Sequence, residues 1–318
     1  MQQRQEPRIV GLDVSKAWLD GYLTNGGRRL RVSNDAAGIQ TLVRTLGDGA
    51  GCLVVMEASG GYERTAHQEL VAQGVLAAIV NPKRVRDFAR GMGLEAKTDR
   101  VDARLIARYG EVRRPAPTPL PDPARTELRE ILACRRQLID EITVRKQQLE
   151  HLQSPSLRAR TTKVLALLRQ EERELSKLLR QQIQADAALA ADFALLTSMP
   201  GCGPILAATL LAEMPELGAL DRRKVAALAG LAPVAKGIGL RENRRVIKGG
   251  RGQVRNALYM AVLASLKTDK SPLKARYAQL TAKGKPPKLA LAALMRKMLV
   301  TLNAMLKAKI SWQDPRHT

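Results

Sequence analysis

The sequence predicts a mixed α/β amino-terminal domain, a helical hairpin and a mainly α carboxyl-terminal domain. Three observations carry this. Short apolar runs punctuated by Gly and Asn-Gly alternate with helical segments at the start of the chain. Five prolines crowd into residues 113–123. From Phe193 onward the chain reads as helices with Gly/Pro breaks and no convincing strand. The expected organisation is therefore a domain over 1–112, a proline-rich linker over 113–123, a hairpin over 124–190, a basic helical domain over 191–310 and a tail over 311–318.

Residues 8–14 (RIVGLDV), Ala17–Leu23 and Arg29–Ser33 read as three consecutive strands, with Asn25-Gly26-Gly27 as the hairpin signal. Asn34-Asp35 looks like a helix cap before Ala36–Leu46. Cys52–Met56 is a buried-strand run, Tyr62–Gln73 a helix closed by Gly74, Val75–Val80 a strand, and Asn81-Pro82 a helix start with proline at its favoured first position. The order β-β-β-α-β-α-β-α is that of a ribonuclease-H-like domain. Arg113–Pro123 is expected to be stiff and extended. Beyond it Leu128, Ile131, Leu138, Ile142, Leu149 and Leu152 fall on heptad positions, with Arg135 and Arg145 filling gaps. Ser154-Pro155 breaks the helix, and Leu168, Leu175, Leu178 and Leu179 mark a second one. This coiled-coil hairpin is expected to act as a spacer or dimerisation element.

The 318 residues carry 53 Lys+Arg and 30 Asp+Glu, a balance of +23. Residues 1–122 hold 18 basic and 14 acidic side chains, 123–221 hold 13 and 13, and 222–318 hold 22 and 3. Nearly all the excess thus lies in the last third, and such a one-signed field fits a polyanion. With only 3% aromatics, contact through the phosphate backbone of DNA or structured RNA is favoured over a base-stacking platform. No apolar run reaches the ~18 residues that span a bilayer, and no signal peptide is evident, so a cytoplasmic protein with no membrane partner is expected. The three cysteines suit neither a disulfide frame nor a zinc site. His67, His151 and His317 match no metal spacing, and His67 is expected on a helix surface.

Four acids stand out. Asp13 ends the first strand, Glu57 follows the apolar strand Leu53–Met56 ahead of Ser59-Gly60-Gly61, and Asp99 and Asp102 share a helix face at i, i+3. Converging carboxylates repel unless cations neutralise them, and an all-oxygen donor set suits Mg²⁺ or Mn²⁺ in phosphodiester chemistry. Met199–Pro204 (MPGCGP), with Gly201 and Gly203, has the look of a helix-hairpin-helix phosphate binder. In RENRRVIKGGRGQVR (Arg241–Arg255), Arg244, Arg245, Lys248, Arg251 and Arg255 crowd around Gly249-Gly250 ahead of the helix Val254–Leu266, and nucleic acid is the expected partner.

GLDVSK (Gly11–Lys16), VVMEASGGYE (Val54–Glu63), NPKRVRDFARGMGLEAKTDRVDARLIA (Asn81–Ala107), MPGCGPILAATLLAE (Met199–Glu213), AGLAP (Ala229–Pro233) and VIKGGRGQVRNALYMA (Val246–Ala261) stand in order. Together they resemble the insertion-sequence transposase family that includes the Piv invertases and the bridge-RNA-guided recombinases. The resemblance implies a RuvC-like domain whose Asp-Glu-Asp-Asp tetrad falls on Asp13, Glu57, Asp99 and Asp102. It also implies a nucleophilic serine in the carboxyl-terminal domain, a structured guide RNA, DNA as substrate, homo-oligomers (dimers or tetramers) and a bacterial cytoplasmic setting.

One departure matters. Aligned through Gly239, the expected serine position holds Ile238, and from Pro233 to Asn256 there is no Ser, Thr, Cys or Tyr. Isoleucine has no lone pair with which to attack phosphorus. Three readings follow: an active recombinase whose nucleophile lies elsewhere (Ser198, Ser265 or Tyr259), a nucleic-acid binder without strand transfer, and a metal-only nuclease. A sugar-kinase or actin-like ATPase also opens with a strand like GLDVSK, but it requires a second strand-rich half that this chain does not offer.

Overall fold

The computed structural model describes residues 7–47, 51–93, 103–236, 244–247, 249–268 and 271–313, with backbone alone at 234–236 and 244–246. The chain forms two compact units, 1–120 and 121–318.

In the first unit, β1 (Arg8–Val14), β2 (Trp18–Leu23), β3 (Arg28–Ser33), β4 (Cys52–Glu57) and β5 (Leu76–Val80) make one sheet in the order β3-β2-β1-β4-β5. The β1–β2 and β2–β3 pairs are antiparallel, and β1–β4 and β4–β5 are parallel. Helices α1 (Ala36–Leu46), α2 (Glu63–Ala72), α3 (Pro82–Gly91) and α4 (Ala103–Arg113) follow the strands. Side chains alternate across a strand, so a sheet covered on both faces needs apolar residues at both parities. Val10, Leu12, Val14, Val54 and Met56 bury against Ile39 and Leu42 of α1 and Leu70 of α2. Ile9, Leu53 and Val55 bury instead with Val85 of α3 and Ile106 and Tyr109 of α4. As expected, Asp35 caps α1, its carboxylate accepting from Gly38 N at 2.8 Å, and Asn81 caps α3 through Lys83 N at 2.9 Å.

Helix α4 sits directly on β1. A Cβ on Gly11 would lie 2.1 Å from Ala103 O and 2.4 Å from Ala107 N, and one on Gly110 would lie 2.7 Å from Ile9 Cγ2. Since 103–107 lie over Gly11 and 110 lies over Ile9, α4 runs antiparallel to β1. Its amino terminus therefore faces the carboxyl end of that strand.

One expectation changes in this unit. His67 is not a surface residue: it is buried, and its Nε2 donates to Thr118 O at 2.9 Å. The polar ring is tolerated inside because the proline-rich segment supplies that acceptor. Thr118 also donates its N–H to Ala77 O at 2.8 Å and accepts from Ile79 N through its hydroxyl at 2.9 Å, which fastens this part of the segment along β5.

The second unit opens with α5 (Pro123–His151) and α6 (Pro155–Ala185), broken at Ser154-Pro155. Contacts pair Glu127 with Gln182, Arg135 with Glu172 and Arg158 with Leu149, a steady antiparallel register. Arg135 fits the seam because its guanidinium meets Glu172 at 2.5 Å and donates to Ser176 Oγ at 3.0 Å. The amino-terminal half of α5 joins the main core through Leu128, Ile131 and Leu132. That core also takes α7 (Ala187–Ser198), the almost wholly buried α8 (Pro204–Glu213), α9 (Arg222–Leu228), α10 (Gly252–Leu266), α11 (Pro272–Ala282) and α12 (Pro287–Ala308). Arg125 and Arg129 donate to Leu211 O and Ala212 O, closing the carboxyl end of α8.

Two differences appear here as well. Residues 233–236 and 244–247 form an antiparallel hairpin, β6 (Pro233–Lys236) and β7 (Arg244–Ile247), where no strand was expected. Four-residue strands are too short to show an alternation in sequence. Helix α12 is also long and apolar enough to cross a membrane by length and composition, although Arg296-Lys297 interrupt its sequence. Leu294, Met298, Leu299 and Leu302 instead bury in this core.

Gly11→Ala is expected to cost about 1–3 kcal/mol in urea unfolding, because the added methyl meets rigid helix backbone. Gly91→Ala, whose Cβ would meet nothing within 4 Å, is expected to be neutral or slightly stabilising.

Candidate carboxylate site and nucleic-acid interface

Strand register builds the site. The parallel pairing sets Leu12 beside Met56, so the next residues, Asp13 and Glu57, end neighbouring strands on the face that carries Gly11 and Val55. The antiparallel pairings set Asp13 opposite Asp20 and Asp20 opposite Arg31. One rung of the sheet therefore reads Glu57–Asp13–Asp20–Arg31 on a single face. Arg31 grips Asp20 with two bonds, Nε–Oδ1 at 2.6 Å and Nη2–Oδ2 at 2.8 Å, and so balances the third acid.

Glu57 bears the electrostatic load. Burial, then the neighbouring Asp13 charge, push its carboxyl from 4.5 to about 7, against a smaller opposing pull from Arg86 of α3. Its Oε1 is buried with no hydrogen-bond partner. An acceptor in that state is matched by a cation, and the oxygen donors here fit Mg²⁺ or Mn²⁺.

The loops around the pair are stitched from within. Asn34 donates to Ser15 O at 2.8 Å and to Tyr62 O at 3.1 Å, joining the turn after β1 to the turn after β4. Glu63 accepts from Ser59 N, Ser59 Oγ and Gly61 N at 2.9, 3.1 and 2.9 Å. Burial works to raise the Glu63 carboxyl, but these donors outweigh it and hold it below its ordinary value. Neither role was anticipated. The clue was a Glu four residues after Ser59 across two glycines, the arrangement of a carboxylate that closes a turn.

Asp99 and Asp102 lie outside the described residues, and among the described residues no three His, Cys, Asp or Glu side chains gather as a metal group. The described chain resumes at Ala103, the first residue of α4.

The basic region divides. Arg251 grips Glu216 with two 2.7 Å bonds, and those bonds hold the Glu216 carboxyl low. Arg255 donates to Gly249 O at 2.6 Å. Both guanidiniums thus have partners within the chain. Arg244 and Arg245 sit on β7 with only their backbone described, and Lys248 and Ile238 lie outside the described residues. Gly230 and Gly250 cross so closely that a Cβ on Gly230 would lie 2.1 Å from Gly249 O. With Arg251 N bonded to Leu228 O at 2.8 Å, this clasp closes the base of the β6–β7 hairpin.

Gly201 (φ +91°) and Gly203 shape the α7–α8 turn. Gly201 has no room for a side chain, since its Cβ would lie 2.2 Å from Ser265 Oγ. This turn forms one wall of a cavity of about 1030 Å³, shared with Leu132 and Arg136 of α5 and Asn256 and Met260 of α10. Among the hydroxyls near this region, Ser265 is buried and donates to Ala261 O, Ser198 donates to Leu195 O, and Tyr259 is exposed. Burial pushes the Cys202 thiol up to about 12, so it stays protonated.

The proton on Glu57 sets a pH dependence. With the folded value near 7 above an unfolded value near 4.5, the folded state binds the extra proton between the two. The stability present below pH 4.5 is therefore lost as pH rises through 7. In metal-free protein Glu57→Gln should match the parent near pH 4.5. At pH 8.5 it should be more stable by about 1–2 kcal/mol, a figure reduced for solvent screening of a half-buried group. Thermal unfolding at the two pH values checks this.

The chain resembles known proteins over most of its length. Residues 10–154 match a family model described as Transposase, the DEDD transposase of IS110, and residues 193–278 match the Transposase IS116/IS110/IS902 family. The pilin gene-inverting protein of Moraxella lacunata is 29% identical over 267 residues, 80% of this chain and 80% of its own length. The pilin gene-inverting protein of Moraxella bovis is 27% identical over 317 residues, 94% of this chain and 95% of its own. The chain belongs to the IS110/IS116 transposase family, and its relatives include the Piv-type inverting proteins.

Proposed function

We propose that this chain is a site-specific DNA recombinase of an insertion sequence, with a RuvC-like, ribonuclease-H-like amino-terminal domain and a metal site on Asp13, Glu57, Asp99 and Asp102. The observation that carries it is the Asp13–Glu57 pair: two carboxylates forced side by side by parallel strands, one held near pH 7 with a buried oxygen lacking a partner. The strand order β3-β2-β1-β4-β5 supports the fold assignment. The direction of α4 supports the tetrad, because Asp102 immediately precedes a helix whose first turn lies over Gly11, two residues from Asp13.

When bound, Mg²⁺ or Mn²⁺ would polarise a phosphodiester and stabilise the charge that develops on its oxygens. The chain's own residues prepare that event. Glu57 releases its proton near neutrality, Arg31 keeps Asp20 occupied, and Asn34 and Glu63 hold the two strand-end turns in place. In the carboxyl-terminal unit, Gly201 and Gly203 at the α7–α8 turn, Arg244 and Arg245 on the hairpin, and Lys248 would hold DNA and a structured guide RNA. Arg251 and Arg255 would brace that surface rather than touch the ligand. The protein would work as a homo-oligomer.

A second reading, a family member that assembles on nucleic acid without strand transfer, is favoured by Ile238 at the expected serine position. Recombination of the element's own ends, with Mg²⁺, separates the readings. An active wild-type protein with Asp13→Asn reduced at least about 100-fold supports the recombinase. Activity only in Ile238→Ser supports the binder. Nicking without a covalent protein–DNA adduct identifies a nuclease, and activity undiminished in Asp13→Asn overturns the metal site.

A further inference from the structure

The rung that brings Asp13 beside Glu57 continues outward onto β2 and β3, where Arg31 holds Asp20 and the rest of the sheet face has no role in the function described above. Trp18, Asp20 and Tyr22 of β2 share the face of Asp13, and they stand opposite Ser33, Arg31 and Arg29 of β3. β3 is the edge strand. Trp18 is 49% exposed, an unusual state for the largest apolar side chain, and the Arg31 guanidinium lies 6.0 Å from its ring centre. The Arg31 side chain is itself 63% exposed while it holds Asp20, so it is pinned in position and open to solvent at once. Only nine residues of the chain are Phe, Trp or Tyr. A second of them, Tyr62, is 48% exposed in the turn that Asn34 ties to the β1–β2 turn.

We propose that this β2–β3 face is the docking surface for a single strand of nucleic acid leading away from the Asp13–Glu57 pair, with a base stacked on Trp18 and a phosphate on Arg31. The argument is continuity and charge. Arg31 stands two strands from Asp13, about 10 Å at the usual strand spacing, within reach of the nucleotides flanking a phosphate held at the acids. The face offers the exposed Trp18 indole, with the half-buried Tyr22 ring four residues along the same strand, beside cationic groups, which matches a base and its phosphates. A protein partner calls for a broader apolar patch, and on this face Trp18 stands as a single exposed indole. Stacking requires an unpaired base, since bases in a duplex already stack on each other. The surface is therefore selective for single strands or frayed ends.

This inference rests on the reading of Asp13 and Glu57 as the phosphodiester site, and the test keeps the two apart. Trp312→Phe leaves Trp18 as the sole tryptophan of this sequence. In EDTA, this protein is titrated with a mixed-sequence single-stranded DNA oligonucleotide while fluorescein anisotropy reports binding independently. Saturable quenching of Trp18, with at least about five-fold weaker binding in Trp18→Ala and under about two-fold in Trp18→Phe, is the expected result. A duplex of the same sequence should leave the emission unchanged. Binding without any change in Trp18 emission, undiminished affinity in Trp18→Ala, or no binding at all overturns the proposal. Because no divalent metal is present, none of these outcomes depends on whether the acids bind one.

Discussion

Two negative charges placed side by side by parallel strand pairing are the constraint around which this end of the protein is organised. Backbone hydrogen bonding between β1 and β4 fixes where Asp13 and Glu57 stand, whatever their mutual repulsion. Among the described residues, the arginines near the pair compensate Glu57 only in part. Arg31 goes to Asp20, and Arg86 offsets only part of the upward shift on Glu57. The turns on either side are fastened by Asn34 and Glu63, so the pair cannot separate by loop movement alone. A fold that holds a destabilising pair this firmly is spending stability on a site, as functional sites commonly do.

The close packing of α4 serves the same end. Gly11 and Gly110 let the helix lie against β1, and at both positions a side chain would push it away. Its antiparallel course directs the chain entering at Ala103 to the carboxylate end of the sheet. In the carboxyl-terminal unit, glycines act comparably at Gly230 and Gly250, whose backbones cross at the base of the β6–β7 hairpin. The hairpin that carries Arg244 and Arg245 is thereby anchored at both ends.

Much of this was legible in the sequence because it rests on local signals. Asn25-Gly26-Gly27, the Asp35 and Asn81 caps, the apolar runs of β1 and β4 and the Ser154-Pro155 break each act within a few residues, and the elements they mark lie where expected. What escaped depends on partners far along the chain. His67 is inside because Thr118 meets it fifty-one residues later, and Arg251 is braced because Glu216 stands thirty-five residues before it. A basic run announces charge but not which of its members already have carboxylates to hold. The Asp13–Glu57 pairing was half legible. Each acid's place at a strand end could be read, but their adjacency depended on β4 pairing with β1 rather than with β3.

Titration of the metal-free protein with Mn²⁺, followed by loss of the free-ion electron paramagnetic resonance signal, addresses the central claim most directly. Uptake by the wild-type chain near pH 8, falling as pH drops below 7 and lost in both Asp13→Asn and Glu57→Gln, is the predicted result. Uptake of equal strength in the two variants, or none in the wild type, would contradict it.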